Sequence, residues 1–304
     1  MTIDGATAGK GPSRGAIYGM ATRAYSFPAS IVSVLLGTAL AARGYGAVSG
    51  RVSILAFVLT LTGALLAHAG GNVLNDYYDY RKGVDTLPEH GSGVLPQGLL
   101  SAGQMFRFGW ALLAGAGLVG LVLLAMAPSI VTAIVPLAML GLACAVLYTS
   151  VLKRYALGDA VIMVAFGLGL PLGSYAVQQP LHGGAQVGLI LLLSIPLTLL
   201  VDAILHANNR RDVATDTAKG VHTLASLLGE RGSGLLHLVL VFGPPAAAAV
   251  FVALRLIPWT ALLAVLPLPL LLKAYRSGDV PFTAQADLVF GVLYALGIIL
   301  LPRP

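Results

Sequence analysis

Two short stretches of the chain hold most of its candidate chemistry. The first runs Asn72-Val73-Leu74-Asn75-Asp76-Tyr77-Tyr78-Asp79, and the second runs Asn208-Asn209-Arg210-Arg211-Asp212-Val213-Ala214-Thr215-Asp216. Four residues of a helix advance by only about 40° net. Asn75 and Asp79 therefore stack on one face, with Asn72 a turn earlier. Asn208, Asp212 and Asp216 repeat the step and form a nearly straight column of oxygen-bearing side chains. Gly83 and Gly220 stand where each helix should end, and Asp85 follows the first in a loop. Two such columns need counter-charge, and no basic group nearby is numerous enough to neutralise them pairwise. Their all-oxygen donor set suits a hard divalent cation. Magnesium in particular is usually held by one or two carboxylates together with substrate phosphates and water. Lys153, Arg154, Arg210, Arg211 and Lys219 then suit phosphate oxygens. The chemistry this implies is a magnesium–diphosphate site.

The elements that position these columns are membrane helices. The chain of 304 residues is 57% hydrophobic and 10% charged, against about 25% charged in a soluble domain. That much apolar surface needs a bilayer. Spans of about 20 residues centre near Leu35, Leu65, Gly115, Leu140, Gly167, Leu193, Val241, Leu266 and Tyr294. The eighth contains Pro258, Pro267 and Pro269. Each acidic column continues an apolar run, so it occupies a helix end. Of the 18 Lys and Arg residues, Arg43, Arg51, Arg255 and Arg303 fall on one side of such a bundle and the rest on the other. Positive charge stays cytoplasmic, which places the N-terminus and both acidic clusters there. An ion channel or carrier is the rival class, but it should carry its acids at the bilayer midplane, whereas most acids here sit at helix ends. Cys144, alone in an apolar run, makes no intrachain disulfide and reads as packing. Residues 1–15 read as a disordered tail without a cleavable signal, and 16–304 as a single transmembrane domain.

The two stretches resemble the Asp-rich motifs of the UbiA superfamily of intramembrane prenyltransferases, and the likeness extends over nearly the whole chain. Within it, the sequence is most similar to the MenA group, the 1,4-dihydroxy-2-naphthoate polyprenyltransferases. That likeness rests on Asn208 to Asp212 with Asp216, Lys219-Gly220 and Thr223 to Gly229. It is also carried by Ala21-Thr22-Arg23 with Phe27-Pro28-Ala29, Leu147-Tyr148-Thr149, Tyr155 to Asp159, Phe166-Gly167 and Leu172 to Tyr175. The resemblance implies an all-α bundle of about nine transmembrane helices around a central cavity open to lipid and cytoplasm. Asn75, Asp79, Asp212 and Asp216 would hold Mg2+. Arg23, Lys153 and Lys219 would hold diphosphate, assisted by Arg154 or Arg211. Asn72, Asp76, Asp85, Asn208 and Tyr148 would be auxiliary. The chain departs from the superfamily pattern at Gly83, where a third acid is common, and Asp85 two residues on matches the naphthoate group. It departs again in the loop Gly91 to Pro96, where an Arg is frequent, and at Asp202, where an apolar residue is expected. Asp202 reads either as an acid paired with a neighbour inside the bundle or as a selector of the acceptor.

The activity implied is transfer of a polyprenyl group from its diphosphate to an aromatic acceptor, with Asp79, Asp212, Asp216 and Lys153 central to it. For 1,4-dihydroxy-2-naphthoate, attack at the carboxyl-bearing carbon and loss of carbon dioxide would give a menaquinone precursor. Other acceptors with the same chemistry are 4-hydroxybenzoate, homogentisate or a glycerol-phosphate lipid. Tyr77, Tyr78 and Tyr148 offer aromatic faces to a cationic centre. The expected partners are the polyprenyl diphosphate, the acceptor and the lipid of a cell membrane, with no nucleic acid.

Overall fold

The computed structural model describes residues 12–45, 52–84, 86–88, 91–126, 131–150 and 156–302, with the side chains of 133, 134 and 144–150 left out. Everything regular among the described residues is helical. A short helix α1 (Arg14–Ala21) is capped by Ser13, whose hydroxyl accepts from the Ala16 N–H. It begins two residues inside the stretch expected to be tail. There follow α2 (Pro28–Ala42), α3 (Ile54–Arg81), α4 (Ala102–Met126), α5 (Val131–Ser150), α6 (Gly158–Ile162), α7 (Leu170–Gln178), α8 (Gly184–Ala218), α9 (Leu224–Ala253), α10 (Leu268–Ser277) and α11 (Val280–Leu300). Among the described residues, eight helical segments are long and apolar enough to cross a membrane. They contain eight of the nine expected centres, and the remaining one, Leu140, falls within α5. The protein is a multi-pass membrane protein.

Helix α8 is the axis of the bundle: 61% of its apolar window is buried, against 11% for α4. Val32 and Leu36 of α2, Leu197 and Leu200 of α8, and Phe290 and Tyr294 of α11 form the centre of the main core. On α4, Leu118 and Leu121 stay more than 60% exposed, an apolar surface suited to lipid. Small residues let the helices approach. A Cβ on Gly37 would lie 2.2 Å from the Pro171 carbonyl oxygen, and one on Gly291 would lie 2.4 Å from Val32. At the end of the bundle remote from the acidic columns, Gln178 clamps Ser53 by two reciprocal hydrogen bonds of 2.8 and 3.1 Å.

Irregularities sit where proline or function requires them. The prolines of the eighth span break it into a 3₁₀ segment (Trp259–Val265) followed by α10. Between α6 and α7 the chain runs as a π-helix over Met163–Gly169. Such bulges release a carbonyl from the α pattern and are frequent at functional sites. Here the Phe166 carbonyl accepts from Ser33 Oγ of α2 at 2.8 Å, and Phe166 faces the central cavity. Helix α8 has 35 residues, about 52 Å at 1.5 Å per residue. A hydrocarbon core of about 30 Å leaves several turns projecting, enough to carry Asn208 to Ala218 into the interface.

Candidate active site

The two acidic stretches end in the same local fold. In α3, Lys82 is the C-cap and Gly83 takes φ +71°. The Gly83 N–H donates to Tyr80 O at 3.0 Å, and the Val84 N–H donates to Asp79 O at 2.8 Å. In α8, Lys219 is the C-cap and Gly220 takes φ +70°. The Gly220 N–H donates to Thr217 O at 3.1 Å, and the Val221 N–H donates to Asp216 O at 2.9 Å. Both are Schellman motifs, which need a left-handed residue after the cap and therefore glycine. In each, the longer of the two bonds in sequence lands on the carbonyl of the last column acid. The motif thus fixes the backbone of Asp79 and Asp216 directly. Lys219 joins the two ends, because its Nζ donates to the Val84 carbonyl.

Asn72, Asn75 and Asp79 of α3 and Asn208, Asp212 and Asp216 of α8 all line one cavity of about 650 Å³, together with Arg23, Arg211 and Lys219. Away from this polar mouth the walls become apolar. They are built from Ala64 and Ala67 of α3, Leu113 and Leu124 of α4, Val135 and Leu142 of α5, and Ile162 and Phe166. The structure thus joins an oxygen-rich entrance to an interior with room for a hydrocarbon chain. One column acid, Asp212, has a basic partner on its own helix. Arg211 Nε donates to Asp212 Oδ1 and its Nη2 donates to Oδ2, both at 2.7 Å, while Nη2 also reaches Asn208 Oδ1 at 2.9 Å. Asn208 Nδ2 completes the cluster by donating to Asp212 Oδ2 at 3.2 Å. The Arg211 side chain is half exposed, and such bridges contribute only about 0–1 kcal/mol. Arg211 is therefore free to exchange partners at little cost.

Asp76 has a different place from its neighbours. It is buried, pairs with Arg23, and accepts the Ser92 N–H on Oδ2 at 2.9 Å. It fastens the segment after α3 to the helix end and does not line the cavity. The loop lacking the expected Arg is packed tight: Gly93 has φ +70°, and a Cβ there would lie 2.3 Å from Pro88 O. Its Val94 and Leu95 are buried against Val73 and Met105. Asp202 lies inside the bundle, as the first of its two readings has it, but among the described residues without the hydrogen-bonded neighbour that reading gave it. It is fully buried, both carboxylate oxygens lack a hydrogen-bond partner among the described residues, and it is not part of the cavity wall. Lys153, Arg154 and Asp85 lie outside the described residues. Tyr148 belongs to α5, but its side chain also lies outside them.

The donors at the mouth are amide and carboxylate oxygens, the set a magnesium ion prefers. Among the described residues no three acids, histidines or cysteines converge closely enough to chelate a metal by themselves. That fits an ion completed by phosphate and water. Residues not singled out from the sequence also reach the cavity. His68 and Ser26 line it. His68 is one turn inward from Asn72 on α3, and this i, i+4 step in an otherwise apolar run was a signal available from spacing alone. Behind the α8 column, Asp159 is bound by His206 Nδ1 at 3.2 Å and faces Asn209 Nδ2 at 3.5 Å. His206 Nε2 lies 2.9 Å from Ser233 Oγ. These contacts brace α8 against α6 and α9.

The profile of the UbiA prenyltransferase family matches residues 30–290. UbiA prenyltransferase domain-containing protein 1 of Xenopus tropicalis is 34% identical over 301 residues, covering 94% of this chain and 83% of that protein. The Homo sapiens protein of the same name is 33% identical, with 94% and 84% covered. Among solved structures, an apo UbiA homolog from Aeropyrum pernix K1 superposes with a TM-score of 0.62 at 17% identity, covering 90% of this chain and 96% of that one. A UbiA homolog from Archaeoglobus fulgidus bound to DMAPP and Mg2+ gives 0.59 at 13% identity, with 93% and 99% covered.

Proposed function

The chain belongs to the UbiA prenyltransferase family, and on that premise we propose that it transfers a polyprenyl group from its diphosphate to 1,4-dihydroxy-2-naphthoate in a magnesium-dependent reaction. One observation carries this reading: both helix-end columns open onto a single cavity whose mouth is polar and whose interior is apolar. A diphosphate headgroup and a hydrocarbon tail need that division in that order. The DMAPP and Mg2+ bound by the Archaeoglobus fulgidus homolog support the same assignment of ligands here.

Asn75, Asp79, Asp212 and Asp216 would hold the metal, which when bound supplies positive charge to the diphosphate oxygens. Arg23, Lys219 and Arg211 line the mouth and would take the remaining phosphate charge, with Lys153 and Arg154 as further candidates. As the allylic C–O bond breaks, its electron pair leaves with the diphosphate. Preorganised cations aimed at that group stabilise the charge as it develops. The ring carbon bearing the carboxyl group then bonds to the allylic carbon, and the carboxyl group departs as carbon dioxide, restoring the aromatic ring. Apolar walls keep water from the cationic carbon. Among the described residues Asp202 is not part of the cavity wall, so it does not count against an anionic acceptor. The Lys and Arg asymmetry supports a cell-membrane protein with this mouth on the cytoplasmic side. Turnover of radiolabelled prenyl diphosphate with naphthoate tests the reading. Transfer that stops on magnesium chelation is expected, whereas ion flux without any prenylated product would sink it.

A further inference from the structure

Arg23 is one of three described non-glycine residues with positive φ, at φ 51° and ψ 50°. A left-handed conformation in such a residue is strained, and strain of this kind persists only where the surroundings over-determine it. The surroundings here are a chain of side-chain hydrogen bonds. Asn72 Nδ2 donates to Thr22 O at 2.9 Å and to Ser26 Oγ at 3.1 Å. Ser26 Oγ donates to Arg23 O itself at 2.9 Å. His68 Nε2 lies 3.0 Å from Ser26 Oγ, and His68 Nδ1 lies 2.9 Å from Ser30 Oγ. The Ser26 hydroxyl has one hydrogen, which it gives to Arg23 O. It must therefore accept at its contact with His68, so Nε2 carries a proton and Nδ1 is left to accept from Ser30. Phe27 and Phe166 hold the imidazole, with ring centroids 5.5 and 4.7 Å away.

We propose that His68 is a positioning residue for Arg23: acting through Ser26, it holds the left-handed elbow at Thr22–Ser26 that delivers the Arg23 guanidinium to the cavity mouth. The functional part of this inference rests on the diphosphate role given to Arg23 above. The ring is set by its two serine partners, so its nitrogens serve the elbow even though the residue borders the cavity. Loss of His68 should therefore be felt at the diphosphate and not at the acceptor.

The test uses the full chain in lipid nanodiscs, with a non-hydrolysable prenyl thiodiphosphate and magnesium as the probe. His68→Ala, Ser26→Ala and Arg23→Ala should each weaken probe binding about tenfold. His68→Ala in an Arg23→Ala background should add nothing. His68→Gln, which keeps an N–H donor, should recover part of the loss, and the KM for the acceptor should not move. Hydrogen exchange of the backbone amides from 22 to 27 should accelerate at least tenfold in His68→Ala and in Ser26→Ala. Independent losses in the double variant, an effect confined to acceptor KM, or unchanged elbow exchange would each overturn the proposal. Ser26→Ala keeps the measurement available if His68→Ala does not fold. A wild-type chain that fails to bind the probe would defeat the diphosphate reading, while the exchange comparison would still decide whether His68 holds the elbow.

Discussion

Replacing Gly220 by alanine tests whether the Schellman motifs hold the columns in place. A Cβ at Gly220 meets nothing within 4 Å, so the change carries no packing cost and acts through the backbone alone. At φ +70° a non-glycine residue is disfavoured by about 1–2 kcal/mol, and the alanine regains roughly 0.4–1 kcal/mol by restricting the unfolded chain. The folded helix end is thus biased towards unwinding by about 1 kcal/mol. Unwinding releases the Val221 bond to Asp216 O and with it the backbone of the last column acid. If only the wound end binds magnesium and diphosphate, half-saturation with magnesium should rise by up to about fivefold, since 1.4 kcal/mol is tenfold. Maximal rate at saturating magnesium should stay near normal. Initial rates across a magnesium titration measure this, and Gly220→Asn should lie closer to wild type because asparagine tolerates the left-handed region. A Gly220→Ala protein with unchanged magnesium dependence would refute the reasoning. Gly83, with the same geometry and the same open space, should behave alike.

Asp79→Asn and Asp212→Asn should each abolish transfer while the protein remains folded in detergent, as seen by thermal unfolding and turnover together, because each loses charge with little volume. Lys153→Ala should raise the KM for prenyl diphosphate and lower kcat, whereas unchanged kinetics would mark Lys153 as a membrane-interface anchor only. Gly37→Ala should destabilise the fold by about 1–3 kcal/mol, read as a lowered midpoint of thermal unfolding. The Cβ would meet the Pro171 carbonyl, a backbone group that cannot rotate away.

Eight of the nine expected span centres fall in helices, and the ninth, Leu266, lies at the turn between the 3₁₀ segment and α10, because hydropathy over about 20 residues is a property of composition and needs no partner. The helix ends were legible for the same local reason, with glycine following a polar turn at Gly83 and Gly220. The four-residue step also put Asn75 beside Asp79 on the column face, and adjacent helical residues point about 100° apart, which turns Asp76 elsewhere. Its pairing with Arg23 and with the Ser92 N–H was not legible, because both partners come from other parts of the chain. Arg211 was expected at diphosphate, and the structure binds it to Asp212 and Asn208, a choice set by side-chain reach along one helix. Asp202 could not be placed from pattern alone, since α8 is buried over most of its circumference and an acid there has no polar face to indicate its direction. The polar chain from Ser30 to Asn72 links residues more than 40 positions apart, so no window on the sequence shows it.

Acceptor choice is the most direct test of the proposed reaction. The direct measurement offers 1,4-dihydroxy-2-naphthoate and 4-hydroxybenzoate side by side to the purified protein, with one prenyl diphosphate and saturating magnesium, and identifies the products by mass. The expected result is a decarboxylated prenyl naphthoquinol, with naphthoate favoured at least tenfold in kcat/KM, which corresponds to about 1.4 kcal/mol of differential transition-state stabilisation. A preference for 4-hydroxybenzoate, or no naphthoate product at all, would contradict it.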